Sequence, residues 1–450
     1  MMGLRERLGL AVGKGLDPGT HMYDGKGDLS GHRFHLRVDT KRSGVLMVDA
    51  SKLLVLNGTA LDYVRGLLEG WDLERTVRYM RSRYRNLDED TASKHRDRVK
   101  SELLEFLSGN QDAVRQTISD TPTIGSDTLP SPYRMDVCLT YRCQNDCAHC
   151  YNEEREVEEL GRESWIAVID KLWDIGIPHV VFTGGEPTLS PYLEGLIARS
   201  EEHGQITGLI SNGRRLEEDG YLSGLISAGL DHVQITILSH RAGVHDRIAG
   251  SAGAWEETIS GIKTALSQDV YLSTNTTIME ENRGDLEETM RFLISLGVKN
   301  LAFNGLIRSG KGRDAKGVSY GELKAILLNL VAIAEEEGVK LVWYTPTPYC
   351  ELNPVNYGLG IKQCTACSLN MAVEPDGSVL PCQSYYRSLG NILIDPWEGI
   401  WNHALCKRLR EREYLPERCR ECELSDVCGG GCPLALEGGY YMCLDRYSSF

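Results

Sequence analysis

The sequence predicts an α/β protein: a parallel sheet flanked by helices, a small α+β unit ahead of it and a cysteine-rich segment after it. Three observations carry this. From Tyr133 to residue 345, short apolar runs alternate with amphipathic stretches at helical spacing, the pattern of βα units and so of parallel strands. Residues 33–107 instead give three strands followed by three helices. Beyond residue 346 the cysteines recur at short, regular spacings.

Composition narrows the function classes. A chain of 450 residues has a soft prior of about three domains. The net charge of −15 excludes a general nucleic-acid binder. No stretch reaches the ~18–20 apolar residues of a membrane span. The N-terminal run Met1 to Lys14 is too polar and too short for a secretory signal, so a cytoplasmic location is expected. Fourteen cysteines can mean a disulfide framework. Here they cluster, so metal or cluster ligation in a reducing compartment is the expectation.

Residues 1–32 are rich in glycine and polar residues without periodicity, and read as a flexible leader segment. Strands follow at Phe34–Val38, Gly44–Val48 and Leu53–Leu56. Asn57-Gly58-Thr59 offers a turn and a cap for a helix carrying Ala60, Tyr63, Val64, Leu67 and Leu68 on one face. Further helices are expected over 72–84 and 90–107. This 33–107 unit carries fifteen Lys/Arg against twelve Asp/Glu, +3 in a chain of −15. The excess suits an acidic peptide, or is a solvated helix face, since Arg75, Arg78, Arg81, Arg83 and Arg85 lie close together. Residues 108–132, with Pro122, Pro130 and Pro132, read as a linker.

The barrel-like segment then places strands at Met135–Leu139, His179–Phe182, Thr207–Ile210, His232–Ile237, Tyr271–Thr277, Asn300–Phe303 and Lys340–Trp343. Helices fall between them at 162–175, 190–203, 255–268 and 285–296, among others.

Two motifs carry chemistry. Cys143, Cys147 and Cys150 are spaced C-x3-C-x2-C, with Tyr151 directly after. Three thiolates leave one iron of a four-iron cluster without a protein ligand; taken alone, the triplet also suits zinc. Downstream, an apolar run ends in Phe182-Thr183-Gly184-Gly185-Glu186-Pro187. Two glycines permit close backbone approach, Glu186 offers an acceptor to an ammonium and Pro187 suits the first turn of a helix. At these two places the chain resembles the radical S-adenosylmethionine (SAM) superfamily. The resemblance implies a partial (β/α)6 barrel, with the site at the C-terminal strand ends. It also implies a 4Fe–4S cluster on Cys143, Cys147 and Cys150, whose open iron is chelated by SAM, and contact of Gly184, Gly185, Glu186 and Pro187 with SAM.

Further positions match the same superfamily. Ser211-Asn212-Gly213 follows a strand at the point that lies near the SAM carboxylate or ribose. Gln234, Thr236 and Ser239 stand where polar side chains contact SAM; Asn275 and Thr277 share a face of the next strand. His245-Asp246-Arg247-Ile248-x-Gly250 matches a stretch common in the peptide-modifying branch. The plain reading of each is a loop cap or a sheet-facing polar group. His149 is expected to shield the cluster rather than ligate it.

The tail reads Cys367-x9-Gly377-x4-Cys382, then Cys419-x2-Cys422-x5-Cys428-x3-Cys432, then Cys443. It resembles the SPASM extension of radical SAM enzymes, which holds two auxiliary 4Fe–4S clusters; Gly390-Asn391-Ile392 and Trp401 match as well. Zinc is the alternative for paired C-x2-C units. By the family pattern Cys419, Cys422, Cys428 and Cys443 hold the outer cluster, and Cys382 and Cys432 the inner one. Cys350, Cys364 and Cys367 compete for its two remaining places. Cys138 and Cys406 read as buried thiols.

The 33–107 unit resembles the precursor-peptide recognition element, a winged-helix-like fold similar to the chaperone of pyrroloquinoline-quinone biosynthesis; a DNA-binding winged helix or a plain packing domain is the alternative. Together the resemblances imply a maturase that cleaves SAM reductively to a 5′-deoxyadenosyl radical and cross-links, oxidises or epimerises a ribosomally made peptide. The expected partners are a precursor peptide at 33–107 and a reductant such as ferredoxin or flavodoxin, with no nucleic acid and no membrane. The alternatives are a radical SAM enzyme acting on a small molecule, such as a tetrapyrrole side chain, or on a protein side chain, and a non-enzymatic iron–sulfur redox or regulatory protein. No general base is assigned; Tyr344, Tyr349, Tyr385 and Tyr386 are candidates.

Overall fold

The computed structural model describes residues 15–38, 44–49, 52–108 and 130–440. The chain divides into two compact units, residues 1–129 and 130–450.

The first unit is a four-stranded antiparallel meander followed by three helices. Strands β1 (Gly19–Asp24), β2 (Arg33–Val38), β3 (Gly44–Val48) and β4 (Lys52–Leu56) pair in chain order. The register sets Phe34 against Val48 and Leu36 against Leu46. That alternation points one face inward: Phe34, Leu36, Leu46, Val48 and Leu56 are fully buried. Helices α1 (Gly58–Leu68), α2 (Leu73–Arg83) and α3 (Glu89–Ser108) cover this face with Val64, Met80 and Leu103. Each such side chain contributes about 1.5–3 kcal/mol by leaving water. Asn57 caps α1, accepting the N–H of Thr59 at 3.1 Å and of Ala60 at 2.9 Å.

One expectation for this unit needs correcting. Residues 1–32 do not form one structureless segment: β1 pairs with β2 from Gly19↔Val38 to Asp24↔Arg33. Its Gly-Thr-His-Met-Tyr-Asp run lacks alternation, and the backbone pairing with β2, not side-chain burial, makes it a strand. Of the arginine run, Arg75, Arg78, Arg81 and Arg85 are exposed, as a solvated face requires, and Arg83 is the exception. Arg83 reaches inward to Asp62, which is 0% exposed and also accepts the hydroxyls of Tyr79 and Tyr84. Most of the expected linker, residues 109–129, lies outside the described residues.

The second unit alternates strand and helix: β5 (Arg134–Thr140), α4 (Arg162–Asp174), β6 (His179–Gly184), α5 (Leu193–His203), β7 (Ile206–Ser211), α6 (Tyr221–Ser227), β8 (His232–Thr236), α7 (Ala242–Ala249), α8 (Ala254–Leu266), β9 (Tyr271–Thr277), α9 (Leu286–Leu296), β10 (Asn300–Asn304), α10 (Tyr320–Glu337) and β11 (Lys340–Val342). These seven strands lie parallel in chain order, giving six βα units. Every residue of β6 is buried, as a central parallel strand requires.

The tail is not an appendage to this sheet. Strand β12 (Asn370–Val373) pairs parallel with β5, Asn370↔Arg134 to Val373↔Val137, and β13 (Val379–Leu380) pairs antiparallel with β12. The sheet therefore runs β11-β10-β9-β8-β7-β6-β5-β12-β13. Among the described residues, no helix is long and apolar enough to cross a membrane.

Candidate functional site

Parallel strands end on one side of a sheet, and the loops leaving those ends meet there. The loop after β5 carries Cys143, Cys147 and Cys150. The end of β6 is pressed against the start of that loop. Gly185 N–H donates to Thr140 O at 2.7 Å, and Glu186 N–H to Arg142 O at 2.9 Å. A Cβ on Gly184 would lie 2.3 Å from Thr140 O, and one on Gly185 2.4 Å from Arg142 O. Both obstacles are backbone, so neither position admits a side chain.

Glu186 is fully buried, and its carboxylate is a junction. Oε1 accepts Thr188 Oγ1 at 2.7 Å, Thr188 N–H at 3.1 Å and Ser211 Oγ at 2.9 Å; Oε2 accepts Asn212 N–H at 2.8 Å. Burial raises the carboxyl above its ordinary range, against the pull of these donors. Glu186 thus spends most of its acceptor capacity within the protein and fixes the Ser211–Gly213 turn. Oε2 keeps one acceptor position for a further donor. Pro187 opens a single 3-10 turn, 187–189, and not a long helix.

Asn212 then reaches the thiols, with Nδ2 lying 3.9 Å from Cys143 Sγ. Cys143 Sγ also accepts Asn145 N–H at 3.4 Å. Cys147 packs beside the apolar group of Leu238, Val244, Ile248 and Met279. Its thiol is pushed up to about 12, by burial first and then by Cys150 and Cys143. Burial also raises Cys143 and Cys150. Three thiols in mutual range ionise more readily beside a compensating cationic centre, which is what iron supplies. Three thiols supplied by one loop fit a cluster with one thiolate per iron and one corner left open. Burial lowers the His149 ring to about 4 and keeps it neutral.

The loop is held from three further sides. Asp146 N–H and Ala148 N–H donate to Ala249 O (2.9 Å) and Ile248 O (2.8 Å) at the end of α7. Gly250 adopts φ +65°, and a Cβ there would meet Asp146 O at 2.4 Å. The His245–Gly250 stretch is therefore a clamp on the cluster loop. His245 Nδ1 accepts Leu238 N–H at 3.2 Å, and Asp246 accepts the N–H groups of Gly253 and Trp255, both at 2.8 Å. After β10, Gly312 N–H donates to Cys150 O at 3.2 Å, and Lys311 pairs with Asp146.

Arg214 is the residue that sequence reasoning passed over. Its Nη1 donates to Gln144 O (3.3 Å), Asn145 Oδ1 (2.7 Å) and Ser251 Oγ (2.9 Å), while Nε bonds Glu257. One guanidinium thus ties the cluster loop to the α7–α8 connection and to α8. Its place directly after Ser211-Asn212-Gly213 is the only sequence signal it carries.

Gln234 and Thr236 alternate with the buried Val233 and Ile235, so they share the half-buried face of β8. Asn275 and Thr277 do the same on β9, where Asn275 Oδ1 accepts Asn304 Nδ2 at 2.5 Å. Ser239 is 0% exposed, donates to Asp285 Oδ2 at 2.7 Å and accepts Arg241 N–H at 3.0 Å, which orders the start of α7.

In the tail, the thiols sort into three sets. Cys364, Cys382 and Cys432 lie in mutual electrostatic range; burial raises Cys364 strongly, with Cys432 and Cys382 adding to it. Cys419, Cys422 and Cys428 form a second set, and Cys350 stands with them rather than with the first. Cys428 Sγ accepts the N–H of Tyr349, next to Cys350, at 3.2 Å. Cys367 is 0% exposed, sits at φ +57° and is hydrogen-bonded to the buried Cys406 thiol. Of the three competing thiols, Cys364 stands with Cys382 and Cys432, Cys350 with Cys419 and Cys428, and Cys367 lies in range of Cys382 as well as Cys406. Cys443 lies outside the described residues. Of the candidate tyrosines, Tyr385 donates to Glu437 at 2.9 Å, Tyr349 accepts Lys362 N–H at 2.9 Å, Tyr386 donates to Asn152 at 3.0 Å and Tyr344 is 53% exposed.

Comparison with known proteins agrees with this geometry. Residues 137–293 match the radical SAM superfamily, and residues 364–423 match SPASM, an iron–sulfur cluster-binding domain. The chain is 28% identical over 344 residues to the PqqA peptide cyclase of Rhizobium meliloti (strain 1021), covering 71% of this chain and 90% of that one. It is 26% identical over 411 residues to the antilisterial bacteriocin subtilosin biosynthesis protein AlbA of Bacillus subtilis (strain 168), covering 88% of each. Streptococcus suis SuiB, solved with S-adenosylmethionine, shares the fold with a TM-score of 0.64 at 15% identity, over 89% of this chain and 94% of that one. The cofactors are accordingly SAM and 4Fe–4S clusters. The chain is a radical SAM enzyme with a C-terminal SPASM iron–sulfur domain.

Proposed function

We propose that the chain is a maturase of a ribosomally made peptide, installing a cross-link or an oxidised or epimerised residue. The observation that carries the reading is the first unit, a β-meander with three helices, joined to a SPASM-bearing barrel. Its support is that relatives named for peptide cyclisation and bacteriocin biosynthesis align over most of their length, the AlbA match reaching across 88% of this chain.

In this reading Cys143, Cys147 and Cys150 hold the SAM-binding cluster. Cys364, Cys382 and Cys432 hold the inner auxiliary cluster, and Cys419, Cys422 and Cys428, with Cys350 beside them, the outer one. SAM, reduced by one electron on its cluster, supplies a 5′-deoxyadenosyl radical that takes a hydrogen atom from an unactivated C–H bond. The protein does the rest by position. The carbonyl of Gly185 and the remaining acceptor site of Glu186 Oε2 receive the SAM ammonium. Asn212 orients the carboxylate end, and Gln234, Thr236, Asn275 and Thr277 line the approach. The clamp at His245–Gly250 and the Arg214 guanidinium hold the loop so that the reactive carbon meets one hydrogen. The first unit binds the leader of the precursor peptide, and a ferredoxin- or flavodoxin-type protein delivers the electron.

The experiment is anaerobic turnover of reconstituted enzyme with dithionite, SAM and the short peptide encoded beside the gene. The expected result is 5′-deoxyadenosine together with a peptide of altered mass. Deoxyadenosine without any altered peptide, and no peptide bound by residues 15–108 within the full chain, favours the small-molecule alternative.

A further inference from the structure

The strand ends opposite the cluster loop are not packed as a barrel floor. Successive parallel strands joined by helices carry those helices on one face of the sheet and leave the other as the interior. On β8, Val233 and Ile235 are buried on the helix side, where α8 packs. His232, Gln234 and Thr236 alternate with them and so face the interior. At the N-terminal ends of the strands the register sets Arg134 beside His179, Gly208 beside His232 and His232 beside Tyr271. One interior row thus carries an arginine, two histidines, a glycine and a tyrosine. A closed barrel fills such a layer with branched apolar side chains.

Arg134 is anchored at one end only. Asp136, on the same face of β5, is 2% exposed and accepts Arg134 Nε at 2.6 Å. Among the described residues nothing accepts from Nη1 or Nη2, and the side chain is 35% exposed. The histidines meet across β7, with 2.8 Å between their Nε2 atoms. A Cβ on Gly208 would lie 2.1 Å from His232 Cε1, so the missing side chain is what admits the pair. Burial, with the Arg134 charge adding, lowers His232 to about 4. That ring is therefore neutral, and Arg134 carries the charge beside it.

Tyr344, just after β11, lies in electrostatic range of both Arg134 and Tyr271. Its N–H donates to Asn304 Oδ1 at 2.6 Å, and Asn304 Nδ2 donates to Asn275 on the interior face of β9. Both tyrosines are half-exposed, so water reaches this end of the interior. Their hydroxyls have no hydrogen-bond partner among the described residues. Asp231, the acid before β8, accepts Thr207 N–H at 2.7 Å. The row thus offers open donors around one cation.

We propose that this row is a subsite for a carboxylate of the substrate peptide, received by Arg134 Nη1 and Nη2 with the Tyr271 and Tyr344 hydroxyls beside them. It rests on the peptide-maturation reading and adds a feature the peptide must carry. A guanidinium held at Nε still presents two N–H donors that match the two oxygens of a carboxylate. The steps of β5 from Arg134 to Thr140, at about 3.3 Å each, put the subsite about 20 Å from the start of the cluster loop. That is the reach of about six residues of extended peptide. The carboxylate therefore belongs to a residue several positions from the one that loses its hydrogen. It contributes to binding and not to the chemical step.

The test uses the full-chain holoenzyme with SAM and three probes: acetyl-Gly-Glu-Gly-amide, acetyl-Gly-Gln-Gly-amide and acetyl-Gly-Gly-Gly with a free carboxylate. Saturation-transfer nuclear magnetic resonance gives the dissociation constants. The wild type is expected to prefer a carboxylate probe to the glutamine probe by about tenfold. The tighter of the two carboxylate probes tells whether a side chain or the peptide's end is held. Equal binding of all three overturns the proposal. Arg134→Gln is expected to lose the preference, and Tyr344→Phe to weaken it about threefold. Arg134→Lys keeps a cation for Asp136 and so guards the fold; without the fork it should lose most of the preference. A preference undiminished in Arg134→Lys overturns the assignment. With the precursor peptide, amide replacement of one acidic residue, or amidation of its end, is expected to raise KM about tenfold with kcat unchanged. No change in KM from any of these overturns the role in substrate binding. If the wild type modifies no peptide, the maturation reading fails by itself, and the probe preference alone decides for or against the carboxylate subsite.

Discussion

The backbone N–H of Asn212 donates to Glu186 Oε2 at 2.8 Å, fastening the end of β7 to the end of β6. The same carboxylate accepts Ser211 and Thr188. Replacing Glu186 by Gln turns one acceptor into a donor among donors. The expected cost is about 1–3 kcal/mol, an affinity loss for SAM of roughly five- to a hundred-fold. Equilibrium SAM binding, read by the change in the reduced cluster's electron paramagnetic resonance spectrum, measures it. Wild-type affinity in Glu186→Gln would remove Glu186 from the SAM site.

Arg214 crosses from the Ser211–Gly213 turn to the cluster loop and to Ser251 and Glu257. Arg214→Met keeps the bulk and loses every donor. The loop then lacks its tie at Gln144 and Asn145, so the variant is expected to lose about four iron per chain, the content of one cluster, while the tail keeps its own. Iron analysis and the spectrum of the SAM-responsive cluster distinguish this from general unfolding. A full iron complement with an unchanged spectrum counts against the assignment.

Gly250 and Gly220 both sit in the left-handed region, at φ +65° and +77°. A Cβ at Gly250 meets Asp146 O at 2.4 Å, whereas at Gly220 nothing lies within 4 Å. Both alanine variants therefore bear the backbone cost of about 1–2 kcal/mol. Gly250→Ala additionally displaces the cluster loop. Thermal unfolding should place it below Gly220→Ala, and only Gly250→Ala should lose the SAM-binding cluster. Equal behaviour of the two would deny the clamp.

Cys350 stands with Cys419 and Cys428, while Cys367 is bonded to Cys406. Cys350→Ser is expected to alter the spectrum or iron content of the outer auxiliary cluster. Cys367→Ser should leave both unchanged and cost about 1–3 kcal/mol, because a more polar hydroxyl takes the place of a fully buried thiol. The reverse pattern, iron lost from Cys367→Ser alone, would return Cys367 to the inner cluster.

His245 is 2% exposed, and burial lowers it to about 4, with Asp246 opposing and Arg214 adding. Its neutral Nδ1 is the acceptor for Leu238 N–H. A folded value below the unfolded one near 6.5 means the unfolded chain binds more protons in between. Stability is then fully present above about pH 6.5 and declines as pH falls toward 4. Unfolding midpoints should show this slope. His245→Asn keeps an acceptor near the Nδ1 position without titrating and should flatten it; an unaltered slope assigns the dependence to other groups.

Much of the architecture was legible in the chain. The alternation of apolar strands and amphipathic helices from Tyr133 onward marks each βα unit, because burial on both faces of a parallel strand leaves nearly continuous apolar runs such as Val180-Val181-Phe182. The Cys143 triplet and Gly184–Pro187 were legible for a similar reason: close backbone approach and thiolate ligation admit few residue types. β1 was not legible, since its order comes from hydrogen bonds to β2 rather than from its own side chains.

The sequence by itself determined the chemistry: three thiols in one loop, a glycine-rich strand end and a thiol-rich tail, each dictated by residue type over a short span. Only the tertiary structure decided the partnerships. It set Cys364 with Cys382 and Cys432, moved Cys350 to the Cys419 group, joined the tail to the barrel sheet through β12 and β5, and gave Arg214 its role at the cluster loop. Those contacts join residues far apart in the chain, and spacing along a sequence carries no record of which distant side chains will be brought within a hydrogen bond of one another.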